Sequence, residues 1–512
     1  MATRQQFASS VSWNTITVVL QVVIQLAYTG LLARLISPDS FALMGIVLSI
    51  MGFAELFAQV GVGPALIQRK EIHQQHINGA FYTAVILGLA FTLLFVACAP
   101  LIASAYAIPS LQSIIQVVCF SFIISALAVV PRAMMMREMR FKVMFIASMI
   151  SIIVGNVIVG LWLAYLGWNV WAYVWALFAQ NALMTIVLWL FQPVKITRNW
   201  KWVNTRELMS YGLGSSLFNA LNYIATKMDV LLIPLMGQSL SAVLHEEQLR
   251  KAAMYERSNY VMTQPITIMG KLSDSVLFSG MSRMQDENER LRKTILIATN
   301  LIACVVIPAT VFVCFFSHDI LMVWLGEKFS DAAPILQVLF AAVIFRTLSK
   351  LCDSLLRAKG AVYRGSWFKA IYVLLIAVGI FAAMPYGMTW VATAVVMATF
   401  IHYLMSMYLC TVLVAITWKQ LFSALVPALQ LGFITTMLSV LYVLVEEKIN
   451  LPALVNLLLA TGYVLGVVLL AVYNRPQLLG DKDLNPLFFL PEKIARHKYL
   501  RPMTDKLGWN NI

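Results

Sequence analysis

Four charged residues recur at helical spacing within an otherwise apolar stretch: Arg346, Lys350, Asp353 and Arg357. Positions i, i+4, i+7 and i+11 share one face of a helix. A face with three cations can bind an anionic group, and arginine can donate to two phosphate oxygens at once. In a second interpretation the stripe is structural, with Asp353 neutralising Lys350 or Arg357. One carboxylate cannot neutralise three cations, so we predict an anion-binding face.

Ionisable residues also fall within other apolar stretches. Glu55 lies in the second such stretch, and Lys227 and Asp229 lie in the seventh. Asp229 shares a helix face with Asn222 and Thr226, whereas Lys227 belongs to a different face of a continuous helix. Charged side chains in apolar helices are costly and usually face a polar interior or a partner. They can carry a coupling ion or make a hydrogen bond between helices, and the spacing leaves both interpretations open.

The composition of the chain indicates that the elements carrying these charged residues are membrane helices. Of 512 residues, 61% are hydrophobic and only 12% are charged, with a mean hydropathy of +0.81. Soluble domains carry about 25% charged residues. The net charge of +14 would indicate nucleic acid in a soluble protein, but here the cations cluster at helix ends, so we predict no nucleic-acid partner. The six cysteines form no CxxC pair, and we predict neither a disulfide framework nor a metal site.

Apolar runs of spanning length predict an all-α polytopic membrane protein of about fourteen transmembrane helices. The predicted spans are 11–33, 41–63, 78–100, 111–131, 143–166, 169–192, 208–235, 252–276, 294–316, 333–356, 365–385, 388–415, 421–444 and 452–473. Most of the 37 basic residues fall in loops on one side of these spans, while Arg34, Lys328 and Lys448 fall on the other. Basic loops stay cytoplasmic, which predicts an inner-membrane protein with both termini in the cytoplasm.

A weak internal repeat predicts how the spans are grouped. The run Gln116-Val117-Val118-Cys119 in span four corresponds to Gln337-Val338-Leu339-Phe340 in span ten. We therefore predict two pseudo-symmetric six-helix lobes, 1–206 and 207–416, followed by two appended helices in 417–473 and a basic cytoplasmic tail, 474–512.

The stretch 245–251 pairs Glu246 with Arg250 and Glu247 with Lys251 at i, i+4, as on a solvated helix at the periplasmic mouth. The boundary between spans seven and eight, around 237–251, stays open.

Several sequence features weigh against an enzyme. The predicted loops are short, leaving no room for a soluble catalytic domain, and the sequence contains no GxxxxGK[ST] phosphate-binding loop. The letters Asp481-Lys482-Asp483 match a sugar-nucleotide DxD pattern but lie in the short tail, where chance explains them better. We predict a protein without cofactors that does not itself hydrolyse ATP.

The sequence resembles a known transporter family at several points along its length. The segments that carry the resemblance are Leu32-Ala33-Arg34-Leu35-Ile36-Ser37-Pro38, Gly61-Val62-Gly63-Pro64-Ala65-Leu66-Ile67-Gln68-Arg69-Lys70, Pro131-Arg132-Ala133, Arg140-Phe141-Lys142, Tyr255-Glu256-Arg257-Ser258 and Ser282-Arg283-Met284. In order and spacing they resemble the polysaccharide-transport (Wzx-type flippase) branch of the multidrug/oligosaccharidyl-lipid/polysaccharide superfamily. Ser279-Gly280 replaces the proline region usual in that family.

The resemblance implies that the protein flips polyprenyl-pyrophosphate-linked oligosaccharide units from the cytoplasmic to the periplasmic leaflet, for O-antigen, capsule or exopolysaccharide. Its partners would be this lipid-linked oligosaccharide, membrane lipids, and possible glycan polymerases and glycosyltransferases. The predicted substrate-binding residues are Arg346, Lys350, Arg357, Lys227 and Arg257, and the predicted ion-coupling residues are Glu55, Asp229 and Asp353. The alternatives are a cation-coupled multidrug exporter, a lipid II-type flippase and, less favoured, a membrane glycan polymerase or ligase.

Overall fold

The computed structural model describes residues 4–58, 63, 66, 72–197, 220–236, 242–272, 277, 281, 284–446 and 451–474. Within these ranges the fold is built of helices. The α-helices are Arg4–Leu35, Pro38–Ala58, Gln74–Tyr106, Ser110–Val118, Ser121–Arg137, Phe141–Ser151, Leu161–Tyr165, Val170–Phe191, 220–235, Ala242–Leu272, Asn288–Phe315, Ser317–Trp324, Ala333–Phe340, Ala342–Ala358, Val362–Ala383, Met388–Val414, Trp418–Glu446 and Ala453–Asn474. A π-helical stretch, Ile152–Gly160, and the 3₁₀ turns Glu327–Ala332 and Met384–Tyr386 complete the described elements.

Eleven helices in the described part of the chain are long and apolar enough to cross a membrane. Glu327–Phe340 and Ala342–Ala358 are bent by 43° at Ala341 and count as a twelfth if they form one broken span. Twelve of the fourteen predicted spans therefore correspond to described apolar helices. The other two correspond to helix 220–235, whose predicted start at 208 is not described, and to helix Ala242–Leu272, whose charged residues interrupt the apolar run.

The chain divides into two compact units. Unit 1 comprises Met1–Gln264, Trp324–Ile335 and Val362–Ala398, and unit 2 comprises Pro265–Val323, Leu336–Ala361 and Thr399–Ile512. This division differs from the predicted lobes, because residues 220–264 and 362–398 group with the first six spans. The predicted lobe boundary at 206, the sequence motif at 61–70 in large part and nearly all of the basic tail 474–512 lie outside the described residues.

Small residues allow close helix packing within unit 1. The π-helical stretch Ile152–Gly160 packs against Val170–Phe191, and a Cβ on Gly155 would lie 2.5 Å from the backbone nitrogen of Gln180. Beside this contact, Asn156 Nδ2 donates to Gln25 Oε1 at 3.2 Å and joins the first span to the fifth. Glycine is required at 155 because any side chain would collide with the neighbouring backbone.

Unit 2 is organised around helix Asn288–Phe315, which packs against Trp418–Glu446 and Ala342–Ala358. Asn300 Nδ2 donates to the carbonyl oxygen of Ala424 at 2.9 Å, a helix-to-helix hydrogen bond of the kind that stabilises membrane bundles. Ala303, Cys304 and Leu431 form part of its buried apolar core. This core supports the helix that carries the charged face.

Candidate functional site

The four charged residues of the predicted anion-binding face lie on one continuous helix, Ala342–Ala358. Arg346 and Asp353 are buried, and Lys350 and Arg357 are half-buried. Gly360, at φ +69°, ends the helix: its N–H donates to the carbonyl oxygen of Arg357, and the N–H of Ala361 donates to Leu356. This left-handed glycine cap holds the last helical turn in place.

The apolar sides of this helix identify the direction of its charged face. Phe345 packs against the rings of Phe400 and Tyr403 at centroid distances of 4.9 and 5.5 Å. Ile344, 100° further round the helix, packs into the core formed with Ala303. At 100° per residue, the charged residues lie roughly opposite Ile344 and about 80–140° round the helix from Phe345, in a separate sector. The four charged residues therefore share one face of an α-helix, as their spacing predicted. The apolar residues Ile344 and Phe345 of the same helix pack against its neighbours.

Arg357 bonds back to its own helix. Its Nε donates to the carbonyl oxygen of Asp353 at 3.4 Å, and its Nη2 approaches Ser354 Oγ at 3.5 Å. Both contacts are to neutral oxygens at long hydrogen-bond distances, and they hold the guanidinium group beside its own helix. The roles assigned to Arg346, Lys350, Asp353 and Arg357 stay predictions.

Arg257, a predicted substrate-binding residue in unit 1, is enclosed by aromatic rings. Its guanidinium carbon lies 4.4 Å from the Phe41 ring centroid and 5.0 Å from that of Tyr260. The side chain is 2% exposed and forms an ion pair with the neighbouring Glu256. Its Nη1 is buried and has no hydrogen-bond partner among the described residues. Gly45 makes room for Glu256, since a Cβ there would lie 2.8 Å from the Glu256 side chain.

Asp229 is fully buried and bonded to a neighbouring helix. Its Oδ2 accepts a 2.9 Å hydrogen bond from Tyr255 Oη, and its Oδ1 accepts one from the Val230 N–H at 2.9 Å. A hydrogen bond between helices was one of the two interpretations of Asp229 that the sequence left open; the other was ion coupling. Lys227, on the same helix, is half-buried. The structure brings Asp229, Lys227 and Arg257 into one unit and places the four-residue face of helix Ala342–Ala358 in the other.

Glu55 is half-buried on helix Pro38–Ala58, where it interacts electrostatically with Arg132 and Tyr223. Tyr223 Oη approaches the carbonyl oxygens of Leu48 and Ser49 at 3.3 and 3.1 Å, which holds helix 220–235 against this helix. The nearby Arg132 stabilises the ionised form of the Glu55 carboxyl group. Within the described ranges, no three His, Cys, Asp or Glu side chains converge as metal ligands.

The charged stretch before span eight is helical, as predicted. Lys251 Nζ lies 2.6 Å from Glu247 Oε1, which confirms the predicted i, i+4 pair. This lysine lowers the pKa of the exposed Glu247 carboxyl by hydrogen bonding and charge. Arg250 lies 3.9 Å from Asp331, a partner that spacing could not predict, and the side chain of Glu246 is not described.

Asp331 belongs to a segment, Trp324–Ile335, that packs on unit 1 although its flanking residues belong to unit 2. Trp324 Nε1 donates to the carbonyl oxygen of Leu26 at 2.6 Å, and its ring stacks on Tyr260 at 6.1 Å. Phe329, fully buried, meets Phe41 edge-on at 5.9 Å. Gly30 permits the close approach of Trp324. Two large aromatic anchors and several polar contacts fix this segment.

Lys369 is a buried cation that the sequence-based site prediction did not include. It lies within a membrane span and is 3% exposed. Its Nζ donates to Asn222 Oδ1 at 3.1 Å. The signal was present in the sequence, because a lysine inside an apolar run belongs to no loop.

Comparison with known proteins places these observations in a family context. Residues 31–334 match the family described as "Polysaccharide biosynthesis protein". An "Uncharacterized membrane protein in cps region" of Klebsiella pneumoniae is 24% identical over 415 residues, covering 80% of this chain and 83% of that protein. The Escherichia coli "Lipopolysaccharide biosynthesis protein WzxC" is 22% identical over 372 residues, covering 71% and 72%.

A solved structure shares the fold. "Lipid II flippase MurJ, inward closed conformation" matches with a TM-score of 0.68 at 13% identity, over 91% of this chain and 98% of that one. Together with the apolar helices and the membrane-protein relatives, this likeness identifies an all-helical, multi-pass membrane protein.

Proposed function

This chain belongs to the polysaccharide biosynthesis protein family, and we propose that it flips polyprenyl-pyrophosphate-linked oligosaccharide units from the cytoplasmic to the periplasmic leaflet. The flipped units would serve O-antigen, capsule or exopolysaccharide synthesis. One observation carries the proposal above all: helix Ala342–Ala358 carries Arg346, Lys350 and Arg357 on one face, separate from the sides that pack through Ile344 and Phe345. A pyrophosphate-bearing lipid is an anion that must cross the bilayer, and such a cationic face is suited to it.

The chemistry of the substrate matches this arrangement. Arginine binds phosphate oxygens through a planar fork of donors, and lysine contributes a compact point charge. The glycan requires a polar environment, while the polyprenyl tail can remain in lipid. Lys227 and Arg257 would add cations in unit 1. The enclosure of Arg257 by Phe41, Tyr260 and Glu256 fixes its guanidinium group.

The proposal includes a full topology of fourteen spans with both termini in the bacterial cytoplasm. Support comes from the alternation of basic loops, and from the helical state of 220–235 and Ala242–Leu272, the two elements beyond the twelve apolar ones. We also retain the two six-helix lobes as a proposal about the duplicated origin of the chain. The protein would act by transport alone, with glycosyltransferases and polymerases as separate partners.

Glu55, Asp229 and Asp353 are the carboxylates proposed for ion coupling. Glu55 is half-buried and interacts electrostatically with Arg132, so a proton or cation that binds there would have to compete with that arginine. Asp229 is held by Tyr255, so ion binding there would require exchange of a buried hydrogen bond. Among the alternatives, a multidrug exporter would favour an acidic cavity, which a three-cation face opposes. A lipid II-type flippase shares the pyrophosphate chemistry.

The test is genetic complementation combined with transport. The gene is expressed in a strain that lacks its own repeat-unit flippase, and surface glycan is measured together with membrane abundance of the protein. Inverted vesicles containing radiolabelled lipid-linked repeat unit then report movement to the far leaflet. Restored surface glycan and protein-dependent movement are expected. A well-inserted protein that supports neither, with several repeat-unit structures supplied, would refute the proposal.

A further inference from the structure

Two cysteines of unit 2 meet between neighbouring helices. Cys352 lies on helix Ala342–Ala358, and Cys410 lies on helix Met388–Val414, 58 positions further along the chain. Their Sγ atoms are 2.7 Å apart, both side chains are fully buried, and both are free thiols. A disulfide bond measures about 2.05 Å, so a shift of less than about 1 Å would join the two sulfur atoms.

The packing of the two helices fixes this approach. Phe345 contacts Tyr403 at a ring-centroid distance of 5.5 Å, and seven residues later on each helix Cys352 meets Cys410. Seven residues are about two helical turns, so equally spaced contacts on both helices describe parallel neighbours in a fixed register. Met407 belongs to the same interface, with its Sδ 3.8 Å from Cys352 Sγ. The sulfur pair is therefore part of an extended helix contact.

A hydroperoxide can convert such a pair into a disulfide in two steps. In the first step the peroxide O–O bond breaks, one thiol becomes a sulfenic acid, and the peroxide is reduced to an alcohol or to water. In the second step the other thiol sulfur attacks the sulfenic sulfur and the S–S bond forms. The S–O bond breaks, and the oxygen leaves as water with the proton of the attacking thiol. The cysteine pair thus loses two electrons and two protons to the peroxide.

The position of the pair limits the oxidants that reach it. Cys352 lies six residues before the end of its helix and Cys410 four residues before the end of its own, about 9 and 6 Å along the axes. Under the proposed topology both ends are cytoplasmic, where thiols are kept reduced and disulfides are transient. Full burial excludes bulky reagents, so a small, membrane-permeant hydroperoxide is the class of oxidant that fits.

A bond at this place would leave the charged face of the helix uncovered. At 100° per residue, Cys352 lies within about 20° of Phe345 and about 100–160° round the helix from the four charged residues. The bond would fasten the helix from the side that already packs, and would restrain the direction of its charged face.

We propose that Cys352 and Cys410 are a redox pair, which a membrane-permeant hydroperoxide joins in a reversible disulfide that fastens helix Ala342–Ala358 to Met388–Val414. Each thiol captures a sulfenic acid formed on the other. Oxidation therefore stops at a stage that thiol reductants reverse, before the irreversible sulfinic acid. This inference goes beyond the proposed function and does not depend on which substrate the protein transports.

The test uses purified full-length protein in nanodiscs, treated with hydrogen peroxide or with the more lipid-soluble cumene hydroperoxide. Disulfide-linked peptides are identified by mass spectrometry, and dimedone, which labels sulfenic acids, reports the first step. Cys352→Ala and Cys410→Ala each remove one member of the pair. Cys304→Ala is the matched control, because Cys304 is buried in the same unit and its Sγ lies 3.9 Å from Asn300 Oδ1.

We expect a peptide linked through Cys352 and Cys410 in the oxidised parent protein and in Cys304→Ala, and dithiothreitol should restore both thiols. The oxidised parent should melt at a higher temperature than the reduced parent, because the bond closes a long loop in the unfolded chain. At least one of the variants Cys352→Ala and Cys410→Ala should accumulate more dimedone label on its remaining cysteine than the parent does, since no second thiol captures the sulfenic acid.

Three results would overturn the inference. Folded parent protein could yield no Cys352–Cys410 link with either hydroperoxide, which would show that the pair is not oxidised. Dimedone labelling could be no higher in either variant than in the parent, which would show that neither thiol captures the other's sulfenic acid. The disulfide could form without raising the melting temperature, which would show that it fastens nothing. The first and third results come from the parent protein, so a misfolded variant cannot cause them, and all three leave the proposed function standing.

Discussion

Removing the cations of helix Ala342–Ala358 should abolish transport in a graded order that the structure allows us to estimate. Arg346 is buried, so its interaction with a phosphate falls near the upper end for charge-assisted hydrogen bonds, about 3 kcal/mol. Lys350 is half-buried and more screened by solvent, so its interaction falls near the lower end, about 1.5 kcal/mol. Arg346→Ala should weaken substrate binding about 100-fold, Lys350→Ala about tenfold, and both together about 1,000-fold.

Conservative changes sharpen the test. Arg346→Lys should keep partial export, because it retains the charge and loses only the fork of donors. Asp353→Asn should be mild, because it makes the face more cationic. If the stripe is structural, the order changes: Asp353→Asn then breaks a pair in a low-dielectric setting, at a cost of about 3–5 kcal/mol. Membrane abundance would fall first in that variant, and Lys350→Ala combined with Asp353→Ala would restore it.

The assay compares surface glycan with membrane abundance for each variant in the complemented flippase-deficient strain. Export per molecule of inserted protein is the quantity that matters, because it separates substrate binding from folding. Full export by a well-inserted Arg346→Ala, Lys350→Ala double mutant would refute the anion-binding interpretation of this face.

Three further predictions follow from the site and the topology. Tyr255→Phe removes the hydrogen bond to the buried Asp229 and should destabilise the protein by about 1.5–3 kcal/mol; an unchanged melting temperature would contradict this. If Glu55 or Asp229 carries the coupling ion, Glu55→Gln or Asp229→Asn should weaken gradient-driven transport in well-inserted protein. If transport by both variants depends on pH and sodium as it does in the parent protein, neither residue is the coupling site. Reporter fusions at two sets of loop positions should place one set in the cytoplasm and the other in the periplasm. If two fusions that are successive along the chain report the same side, the fourteen-span topology is wrong. The cytoplasmic set is Arg69, Arg140, Arg206, Lys293 and Arg364, and the periplasmic set is Tyr106, Gly167, Ser239, Lys328 and Tyr386.

The sequence predicted features that depend on local periodicity. The charged face of helix Ala342–Ala358 and the Glu247–Lys251 pair followed from spacing alone, because both lie within single helices. The 43° bend at Ala341 did not follow, since neither proline nor glycine marks it. The boundary between the two units falls earlier, between Ile335 and Leu336, so the bend does not coincide with it.

The sequence did not predict features that depend on packing between residues far apart in the chain. The partner of Asp229 is Tyr255, 26 residues away on another helix. Arg257 pairs with its immediate neighbour Glu256, although adjacent residues on a helix ordinarily point in different directions. Burial and the surrounding rings bring these two long side chains together. Lys369 was missed for a different reason: the assignment of basic residues to loops ignored one that lay inside a span.

The docking of Trp324–Ile335 onto unit 1 has a consequence for how the protein is made. The hydrogen bond from Trp324 to Leu26 joins residues 298 positions apart in the chain, so the first spans emerge from the ribosome long before this partner exists. Until then, the surface that will receive Trp324 and Phe329 is uncovered, and nascent chains with exposed apolar surface are prone to misassembly. A truncated chain ending before residue 324 should therefore be poorly assembled and quickly degraded. Two fragments expressed separately should assemble only if the downstream fragment supplies this segment.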